Sequence, residues 1–334
     1  MIPSAVRDHT LLLVPRQSFL PGNVGSLQNL KKELGMSHIL EVRGLQVAFA
    51  GERGNTIGTD RIDFFVDQGE TVCLVGESGC GKSITSLAVM GLLGRGGRVS
   101  QGEILFNGRN LLKMDRKELD QVRGKELSMI FQDPLSSLNP VLTIGKQLEE
   151  GLKAHTELGK EERRKRALDL LGRAGIREAE AVMKKYPHQL SGGMRQRVMI
   201  AMALSCQPSL LIADEPTTAL DVTIQAQIMN LLRSLKRELR MSLLLITHDM
   251  GLVAQMADRV MVMYAGQIIE EGTVFEIFDH PSHPYTKALL AAVPSMEQNP
   301  EKMLQAIEGT VPENYGQMTG CRFRDRCPYR KQGC

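Results

Sequence analysis

Short apolar runs separated by polar segments recur along the chain from residue 39 onward. Three of them, Thr71–Val75, 210–213 and 243–246, are almost entirely apolar and are followed by glycine or polar residues. Continuous apolar runs of this length are typical of strands that are buried on both faces of a parallel sheet. Stretches with helical spacing, such as residues 83–93, alternate with these runs. The pattern therefore predicts an α/β fold with a largely parallel sheet.

Two further patterns extend this picture. Residues 39–42 and 62–66 are β-type runs on either side of the glycine-rich turn 51–58. Residues 143–171 are charged and dominated by Lys, Glu, Leu and Ala, and they end at a glycine. The second stretch predicts helices inserted into the α/β body, and we place this helical subdomain at about residues 133–205.

Composition excludes several classes of protein. The chain has 334 residues, of which 42% are hydrophobic and 24% are charged, as in ordinary globular proteins. It has no apolar run near the roughly 18–20 residues that a membrane-spanning helix requires. Aromatic residues make up 4% and Trp is absent, which argues against a stacking surface for single-stranded nucleic acid.

The net charge of +3 is unevenly distributed. Residues 1–35 carry +2, residues 321–334 carry +4, and the body between them carries −3. This distribution does not favour a nucleic-acid partner. Residues 1–35 are interpreted as an N-terminal extension, and we expect the functional protein to start near Met36. The alternative is a real but loosely ordered arm.

The most specific motif follows the first apolar run. Its residues fit the pattern G-x-x-x-x-G-K-[ST] in full: Gly76, Glu77, Ser78, Gly79, Cys80, Gly81, Lys82 and Ser83. A strand before this motif and a helix after it give the context in which backbone amides surround phosphate oxygens. We expect Lys82 to reach the β- and γ-phosphates of ATP and the Ser83 hydroxyl to bind Mg²⁺.

Two other motifs match this chemistry. Asp214 and Glu215 follow the apolar run 210–213, where Asp214 can hold Mg²⁺ and Glu215 can polarise the attacking water. Ser191, Gly192 and Gly193, which we call the signature segment, form a small-residue turn that opens a helix and so offers a second anion cradle. One chain has little reason to place two cradles on one triphosphate.

With the sequence Leu-Ser-Gly-Gly-Met at residues 190–194, the chain resembles the ATP-binding cassette (ABC) ATPases. The resemblance implies a P-loop NTPase with a mixed, mainly parallel core sheet, a small antiparallel β-subdomain and an inserted α-helical subdomain. It also implies head-to-tail pairing of two cassettes, in which each signature segment caps the nucleotide of the other. Residues 219–221 match the loop that crosses the interface of such dimers.

The resemblance also assigns roles to individual residues. Gln132 corresponds to the glutamine that senses Mg²⁺ and the γ-phosphate, and His248 to the switch histidine that contacts the γ-phosphate. Phe49 corresponds to the aromatic residue that stacks on adenine, and Ile84 extends the nucleotide-binding stretch. We therefore expect Lys82, Glu215 and His248 to be catalytic.

Three segments, 131–140, 186–189 and 283–290, resemble one branch of the family: the ATPase subunits of dipeptide, oligopeptide and nickel importers. This resemblance implies a peripheral ATPase on the cytoplasmic face of the inner membrane. Its implied partners are a second, related ATPase, two permeases and a solute-binding protein. The main hypothesis is peptide import. The alternatives are import of nickel or another small solute, a soluble cassette ATPase outside transport, and a regulatory module that does not turn over.

The cysteines give two further expectations. Cys321, Cys327 and Cys334 lie in a C-terminal extension (residues 291–334) that follows an ATPase domain of residues 36–290, and some members of the branch bind a [4Fe–4S] cluster there. Such a cluster usually has four thiolates, so an incomplete chain, an external ligand, or no cluster at all are the options. Cys80 lies near Lys82 and a helix N-terminus, which predicts a lowered thiol pKa and sensitivity to alkylation, unless it is a small space-filler.

Overall fold

Two sheets define the architecture of this protein, whose computed structural model describes residues 38–51, 54–218, 220–293, 307–332 and 334. The expected extension at residues 1–35 lies outside the described residues. A four-stranded antiparallel sheet has the order β2-β1-β4-β5. Its strands are β1 (Leu40–Gly51), β2 (Gly54–Val66), β4 (Gly97–Phe106) and β5 (Arg109–Asn110).

The second sheet has six strands in the order β10-β9-β3-β8-β7-β6. All neighbouring pairs are parallel except β10 with β9, which is antiparallel. The strands are β3 (Thr71–Val75), β6 (Leu127–Ile130), β7 (Leu210–Asp214), β8 (Ser242–Thr247), β9 (Arg259–Tyr264) and β10 (Gln267–Thr273). The three predicted strands are confirmed as β3, β7 and β8, and so is the mainly parallel sheet.

Helices connect the strands and cover the six-stranded sheet. They are α1 (Lys82–Val89), α2 (Arg116–Val122), α3 (Pro134–Ser137), α4 (Ile144–His155), α5 (Lys160–Arg173), α6 (Ala179–Met183), α7 (Gly192–Ala203), α8 (Val222–Leu239), α9 (Met250–Met256), α10 (Val274–Asp279) and α11 (Pro284–Ala291). The predicted helical stretch 143–171 forms two helices. The backbone is extended at Thr156, where α4 ends, and α5 begins after its N-cap residue Gly159.

Strands β3, β6, β7 and β8 of the six-stranded sheet are buried on both faces. In β3, Val72 and Leu74 belong to a core shared with the four-stranded sheet and α1, whereas Cys73 and Val75 belong to a core shared with the helices. In β8, Leu244 faces the first core and Leu245 the second. Side chains alternate across a strand, so a run that is apolar at every position places one sheet between two cores.

Residues 307–332 and 334, which we call the C-terminal segment, pack against this body rather than standing apart from it. Phe323 is 2% exposed and lies 5.3 Å from Tyr264 and 5.4 Å from Tyr285, measured between ring centroids. Arg322 donates hydrogen bonds to the carbonyl of Ala265 and to the Asp60 carboxylate. The segment is therefore fixed beside the end of β9, close to the loop that follows β3.

Candidate functional site

Residues 76–83, the phosphate loop, leave β3 through a turn that only glycine can form. A Cβ atom on Gly76 would lie 2.2 Å from the carbonyl oxygen of Met263, and one on Gly81, where φ is 111°, would lie 2.7 Å from that of Gly58. Both neighbours are backbone atoms, one on β9 and the other on β2, so neither clash can be relieved by a side-chain rotation. Helix α1 starts immediately after Gly81 and directs its N-terminus at the loop.

Lys82 is held inside the loop. Its side chain is buried, and Nζ donates hydrogen bonds to the carbonyl oxygens of Gly76 (2.8 Å) and Glu77 (2.9 Å). These bonds keep the ammonium group at the concave side of the loop, where the backbone amides of a phosphate-binding turn converge. The arrangement can neutralise phosphate oxygens without large movement of the lysine.

Asp214, at the end of β7, is 3% exposed and faces α1. Its Oδ1 accepts a hydrogen bond from the Ser83 hydroxyl (3.1 Å), and its Oδ2 accepts one from the Ser86 hydroxyl (3.2 Å). Burial raises the pKa of this carboxyl, and the two hydroxyl donors oppose that shift only in part. Hydroxyl and carboxylate oxygens are ligands that Mg²⁺ prefers, so Ser83 and Asp214 fit a magnesium ion.

Glu215 follows directly and is held by three donors from different elements. Its Oε2 accepts hydrogen bonds from Gln132 Nε2 (3.0 Å) and Thr218 Oγ1 (2.8 Å), and its Oε1 lies 3.2 Å from His248 Nδ1. Burial works to raise the pKa of Glu215, but the hydrogen bonds from Thr218 and His248, with the charge of His248, lower it overall. Its backbone has a left-handed φ of 45°, a strained conformation for glutamate.

The structure thus brings the predicted residues Gln132, Glu215 and His248 together. They follow the adjacent parallel strands β6, β7 and β8, whose carboxyl ends meet at one edge of the sheet. Ligands of open α/β sheets bind at that edge. The group can orient a water molecule and accept its proton next to the phosphate loop.

A cleft of about 330 Å³ extends from the phosphate loop toward the four-stranded sheet. Phe49 and Ile84, both predicted to bind nucleotide, line it together with Ser78 and Gly79. Residues 310–315 form its other side. Sequence reasoning did not place those residues here, because they lie more than 200 positions from the phosphate-loop motif.

Glu77 is tied to two elements that sequence reasoning also missed. Its backbone N–H donates to Tyr285 Oη (2.8 Å) from α11. Its carboxylate accepts two hydrogen bonds from the Arg326 guanidinium of the C-terminal segment, at 2.7 and 2.9 Å. A cluster of basic residues near a chain end usually indicates a solvated surface, so the sequence carried no signal for this ion pair.

The prediction that the thiol pKa of Cys80 is lowered is wrong. The thiol is fully buried, and burial raises its pKa against the lowering effect of Lys82, whose Nζ lies 3.9 Å from Sγ. Proximity to a cation was read correctly from the sequence, but desolvation outweighs it. Cys80 fills space under the loop, the alternative noted from its size.

Comparison with known proteins is consistent with this geometry. A family profile described as "ABC transporter" matches residues 59–218, and another described as "Oligopeptide/dipeptide transporter, C-terminal region" matches residues 269–334. The oligopeptide transport ATP-binding protein AppD of Bacillus subtilis is 51% identical over 300 residues, which cover 90% of this chain and 91% of AppD. The chain belongs to the ABC transporter ATPases. It is an ATPase that uses ATP with Mg²⁺ and couples hydrolysis to transport.

Other comparisons extend this result. The dipeptide transport ATP-binding protein DppD of Haemophilus influenzae is 51% identical over 296 residues, covering 89% of each chain. Among solved structures, the dimeric ATP-binding cassette MJ0796 bound to ADP and Pi matches 70% of this chain and 98% of its own, with a TM-score of 0.64 and 29% identity. CbiO1 from Clostridium perfringens, part of the cbiONQ transporter complex, matches 73% and 91%, with a TM-score of 0.62 and 32% identity.

In this ABC ATPase the signature segment forms the N-terminus of α7. The Ser191 hydroxyl accepts a long hydrogen bond from Met194 N (3.4 Å). A Cβ on Gly193 would lie 3.0 Å from Cγ2 of Ile224, so a larger residue would crowd that side chain. No hydrogen bond or ion pair among the described residues joins these three residues to the phosphate loop of the same chain. No helix among the described residues is long and apolar enough to cross a membrane.

The three C-terminal cysteines of this ABC ATPase are not gathered around one point. Cys321 and Cys334 are exposed and joined through the backbone, since Cys321 N donates to the Cys334 carbonyl (2.9 Å). Cys327 instead is partly buried against the core that the six-stranded sheet shares with the helices. Within the described residues, no group of three or more His, Cys, Asp or Glu side chains can hold a metal ion. The donor set therefore does not fit an iron–sulfur cluster in this arrangement.

Proposed function

We propose that this protein is the ATP-hydrolysing subunit that powers import of peptides across the cytoplasmic membrane through separate permease subunits. The observation that carries the catalytic part is the cluster of Gln132, Glu215 and His248 beside the phosphate loop. The names of its relatives, which are oligopeptide and dipeptide transport ATP-binding proteins, support peptides as the solute rather than nickel.

Three parts of the site bind ATP: one takes the phosphates, one the adenine and one the Mg²⁺ ion. The loop amides and Lys82 take the phosphate groups, and Phe49 and Ile84 take the adenine. Ser83 and Asp214, with Gln132, would hold Mg²⁺, which neutralises charge on the β- and γ-phosphates. Burial raises the pKa of Asp214, and a bound Mg²⁺ would oppose that shift by favouring the ionised carboxylate.

Hydrolysis follows from the state of Glu215. Its lowered pKa keeps the carboxylate ionised at neutral pH, so that it can accept a proton from water. The water oxygen forms a bond to the γ-phosphorus in line with the bond to the β–γ bridging oxygen, which breaks and leaves with ADP. His248 and Gln132 hold the Glu215 carboxylate from two sides. Because they follow β8 and β6, a change at the γ-phosphate can alter the position of the loops after these two strands.

The assembly we propose contains two such ATPases, of which the second is a distinct paralogue, together with two permeases and a solute-binding protein. The signature segment of each ATPase closes over the nucleotide of the other, since Ser191, Gly192 and Gly193 form a helix N-terminus that carries only one long cap hydrogen bond. The protein is peripheral, on the cytoplasmic face of the inner membrane. Val141, which is 76% exposed beyond the segment 131–140, marks the surface that meets a permease.

Within this assembly, we divide the chain into three functional parts. Residues 36–290 are the ATPase domain, residues 133–205 within it are the helical subdomain that contacts the permease, and residues 291–334 are a C-terminal extension. Residues 1–35 precede the ATPase domain and are not needed for hydrolysis. Deletion of residues 1–35 tests that point directly, since the ATPase rate is expected to remain unchanged.

Substitution Glu215→Gln tests the catalytic proposal. The amide cannot accept the proton of water, so we expect hydrolysis to fall by about 100-fold or more, while ATP binding persists. Size-exclusion chromatography with MgATP, on this chain alone and mixed with its paralogue, is then expected to show a dimer that does not dissociate. The matched control is Glu161→Gln, which changes an exposed glutamate in the first turn of α5.

An unchanged rate of phosphate release in Glu215→Gln would contradict the role of Glu215. The solute is tested separately in cells that express the permease and binding-protein genes. Uptake of a labelled dipeptide is expected to stop in Glu215→Gln cells and to continue in Glu161→Gln cells. If Glu215→Gln cells lose nickel uptake but keep dipeptide uptake, the transported solute is nickel and not a peptide.

A further inference from the structure

The cleft at the phosphate loop has two walls that come from opposite ends of the described chain. One wall carries Phe49 and Ile84, and its backbone includes Gly58. The other is residues 310–315 of the C-terminal segment. A volume of about 330 Å³ falls in the range of ligand pockets, which run from about 300 to 1,000 Å³.

The second wall is anchored at the cleft itself. Tyr315 is 5% exposed, and its Oη donates a hydrogen bond to the carbonyl of Gly58 (2.9 Å). Gly58 lies on β2, and a Cβ on it would lie 3.0 Å from the Phe49 ring and 2.9 Å from Ile84, so its carbonyl belongs to the backbone of the first wall. The hydroxyl of Tyr315 therefore sets the distance between the two walls.

Two buried arginines hold the rest of the segment. The side chain of Arg322 is 5% exposed, bonds Asp60 and the Ala265 carbonyl, and lies over the Tyr315 ring at 5.3 Å from its centroid. The side chain of Arg326 is 7% exposed and binds Glu77 of the phosphate loop through two hydrogen bonds. It also donates to the carbonyls of Glu308 (2.7 Å) and Gly309 (3.2 Å), which directly precede the second wall.

The composition of the cleft suits a flat, apolar ring attached to phosphates. Phe49, Ile84, Val311 and Pro312 supply apolar surface, while Ser78 and Gly79 lead into the phosphate loop. Aromatic rings bind between apolar faces because burial removes both faces from water. A base held by Phe49 alone would keep its other face in water.

We propose that residues 310–315 are the second wall of the base pocket, so that the adenine of ATP lies between Phe49 and Val311. The proposal rests on the proposed function, since it takes the phosphate loop as the ATP site. The C-terminal segment then contributes to nucleotide affinity and to the preference for a triphosphate that carries a base.

Substitution Val311→Ser tests the wall by equilibrium binding of two probes, ATP and inorganic tripolyphosphate, measured calorimetrically in EDTA so that no turnover occurs. Loss of one apolar contact is expected to weaken ATP binding by roughly three- to tenfold. Tripolyphosphate has no base, so its affinity is expected to remain unchanged. Val311→Ile keeps the apolar surface and is expected to bind ATP like the unmodified protein.

The matched control is Leu112→Ser, which removes an exposed apolar side chain that does not line the cleft and is expected to alter neither affinity. If Val311→Ser leaves ATP affinity unchanged, or weakens ATP and tripolyphosphate equally, the second wall does not contact the base and the proposal is overturned. If the unmodified protein binds and hydrolyses no ATP, the proposed function fails instead. The two failures are therefore distinguishable.

Discussion

Asp214 and Glu215 are consecutive residues whose carboxyl groups have pKa values shifted in opposite directions. Burial against α1 raises the pKa of Asp214, while donors from Thr218 and His248 lower that of Glu215. The hydrogen bonds of Asp214 come from α1, whereas Glu215 is bonded to residues that follow β6, β7 and β8. Environments that separate the pKa values of two neighbouring acids allow them different tasks, here a metal ligand and a proton acceptor.

Cys80 provides a prediction at the same scale. Because burial raises its pKa and removes it from solvent, little reactive thiolate forms at neutral pH. We expect iodoacetamide at pH 7.5 to leave Cys80 unmodified in the folded protein, and labelling to rise only as the pH increases toward the raised pKa or on unfolding. Mass spectrometry of tryptic peptides measures the extent of labelling at each cysteine.

The exposed Cys321 is the internal reference for that experiment, and guanidinium-unfolded protein is the reference for complete labelling. Substitution Cys80→Ser is expected to leave the sensitivity of ATP hydrolysis to alkylation unchanged. If Cys80 is labelled as fast as Cys321, burial does not protect its thiol, and Cys80 is the reactive cysteine that its position near Lys82 predicts from the sequence.

Among the helices, the N-termini of α2 and α7 are capped with different strength. Asp115 and Glu118 form a reciprocal capping box on α2, with hydrogen bonds of 2.9 and 2.8 Å. Ser191 caps α7 through one hydrogen bond of 3.4 Å. A weakly satisfied helix N-terminus keeps its amides available for an anion.

This difference predicts how two cap substitutions act. Asp115→Ala is expected to lower the free energy of unfolding by about 1–2 kcal/mol and to leave the hydrolysis rate unchanged. Ser191→Ala is expected to cost only about 0.5 kcal/mol, at the lower end of cap effects, and to reduce ATP-dependent dimerisation and hydrolysis. Urea titrations and ATPase assays on the same preparations separate the two effects.

If Ser191→Ala proves as destabilising as Asp115→Ala but hydrolyses ATP normally, α7 is an ordinary structural helix. The signature segment would then have no part in closing the site. The comparison needs no assumption about which ATPase is the partner, because both variants are assayed with the same one.

At the scale of the whole molecule, the C-terminal segment and the phosphate loop behave as one structure. The bidentate pair of Arg326 with Glu77 and the aromatic contacts of Phe323 connect residues that lie far apart in the chain. Planar two-point pairing of this kind fixes geometry as well as charge. The segment is therefore part of the ATPase body in structural terms, although its sequence has the composition of a tail.

Substitution Arg326→Gln tests this connection. Removing the guanidinium leaves the Glu77 carboxylate without its partner, so we expect the free energy of unfolding to fall by about 2 kcal/mol. Arg330→Gln is the matched control, since Arg330 is 61% exposed and pairs with the exposed Asp325 at 3.2 Å. Exposed pairs contribute little, so this control is expected to change stability by less than about 0.5 kcal/mol. Equal effects of the two substitutions would mean that the segment is only loosely attached.

What the sequence could predict depended on whether the interacting residues are close together in the chain. The phosphate loop is contiguous, and Gln132, Glu215 and His248 each follow an apolar strand, so both were accessible to motif and pattern. The pairs of Tyr315 with Gly58 and of Arg326 with Glu77 were not, because residues so far apart meet only through the whole packing of the chain. The pKa of Cys80 was misjudged for a related reason: burial is a property of the folded molecule.

The pair of Glu77 with Arg326 also bears on how the protein is made. The two residues are 249 positions apart, so a ribosome that adds about 5–20 residues per second places Arg326 about 12–50 s after Glu77. During that interval the phosphate loop emerges and can fold without its anchor and without the second wall of the cleft. The anchored form of the phosphate loop therefore arises only after Arg326 has itself emerged from the ribosome.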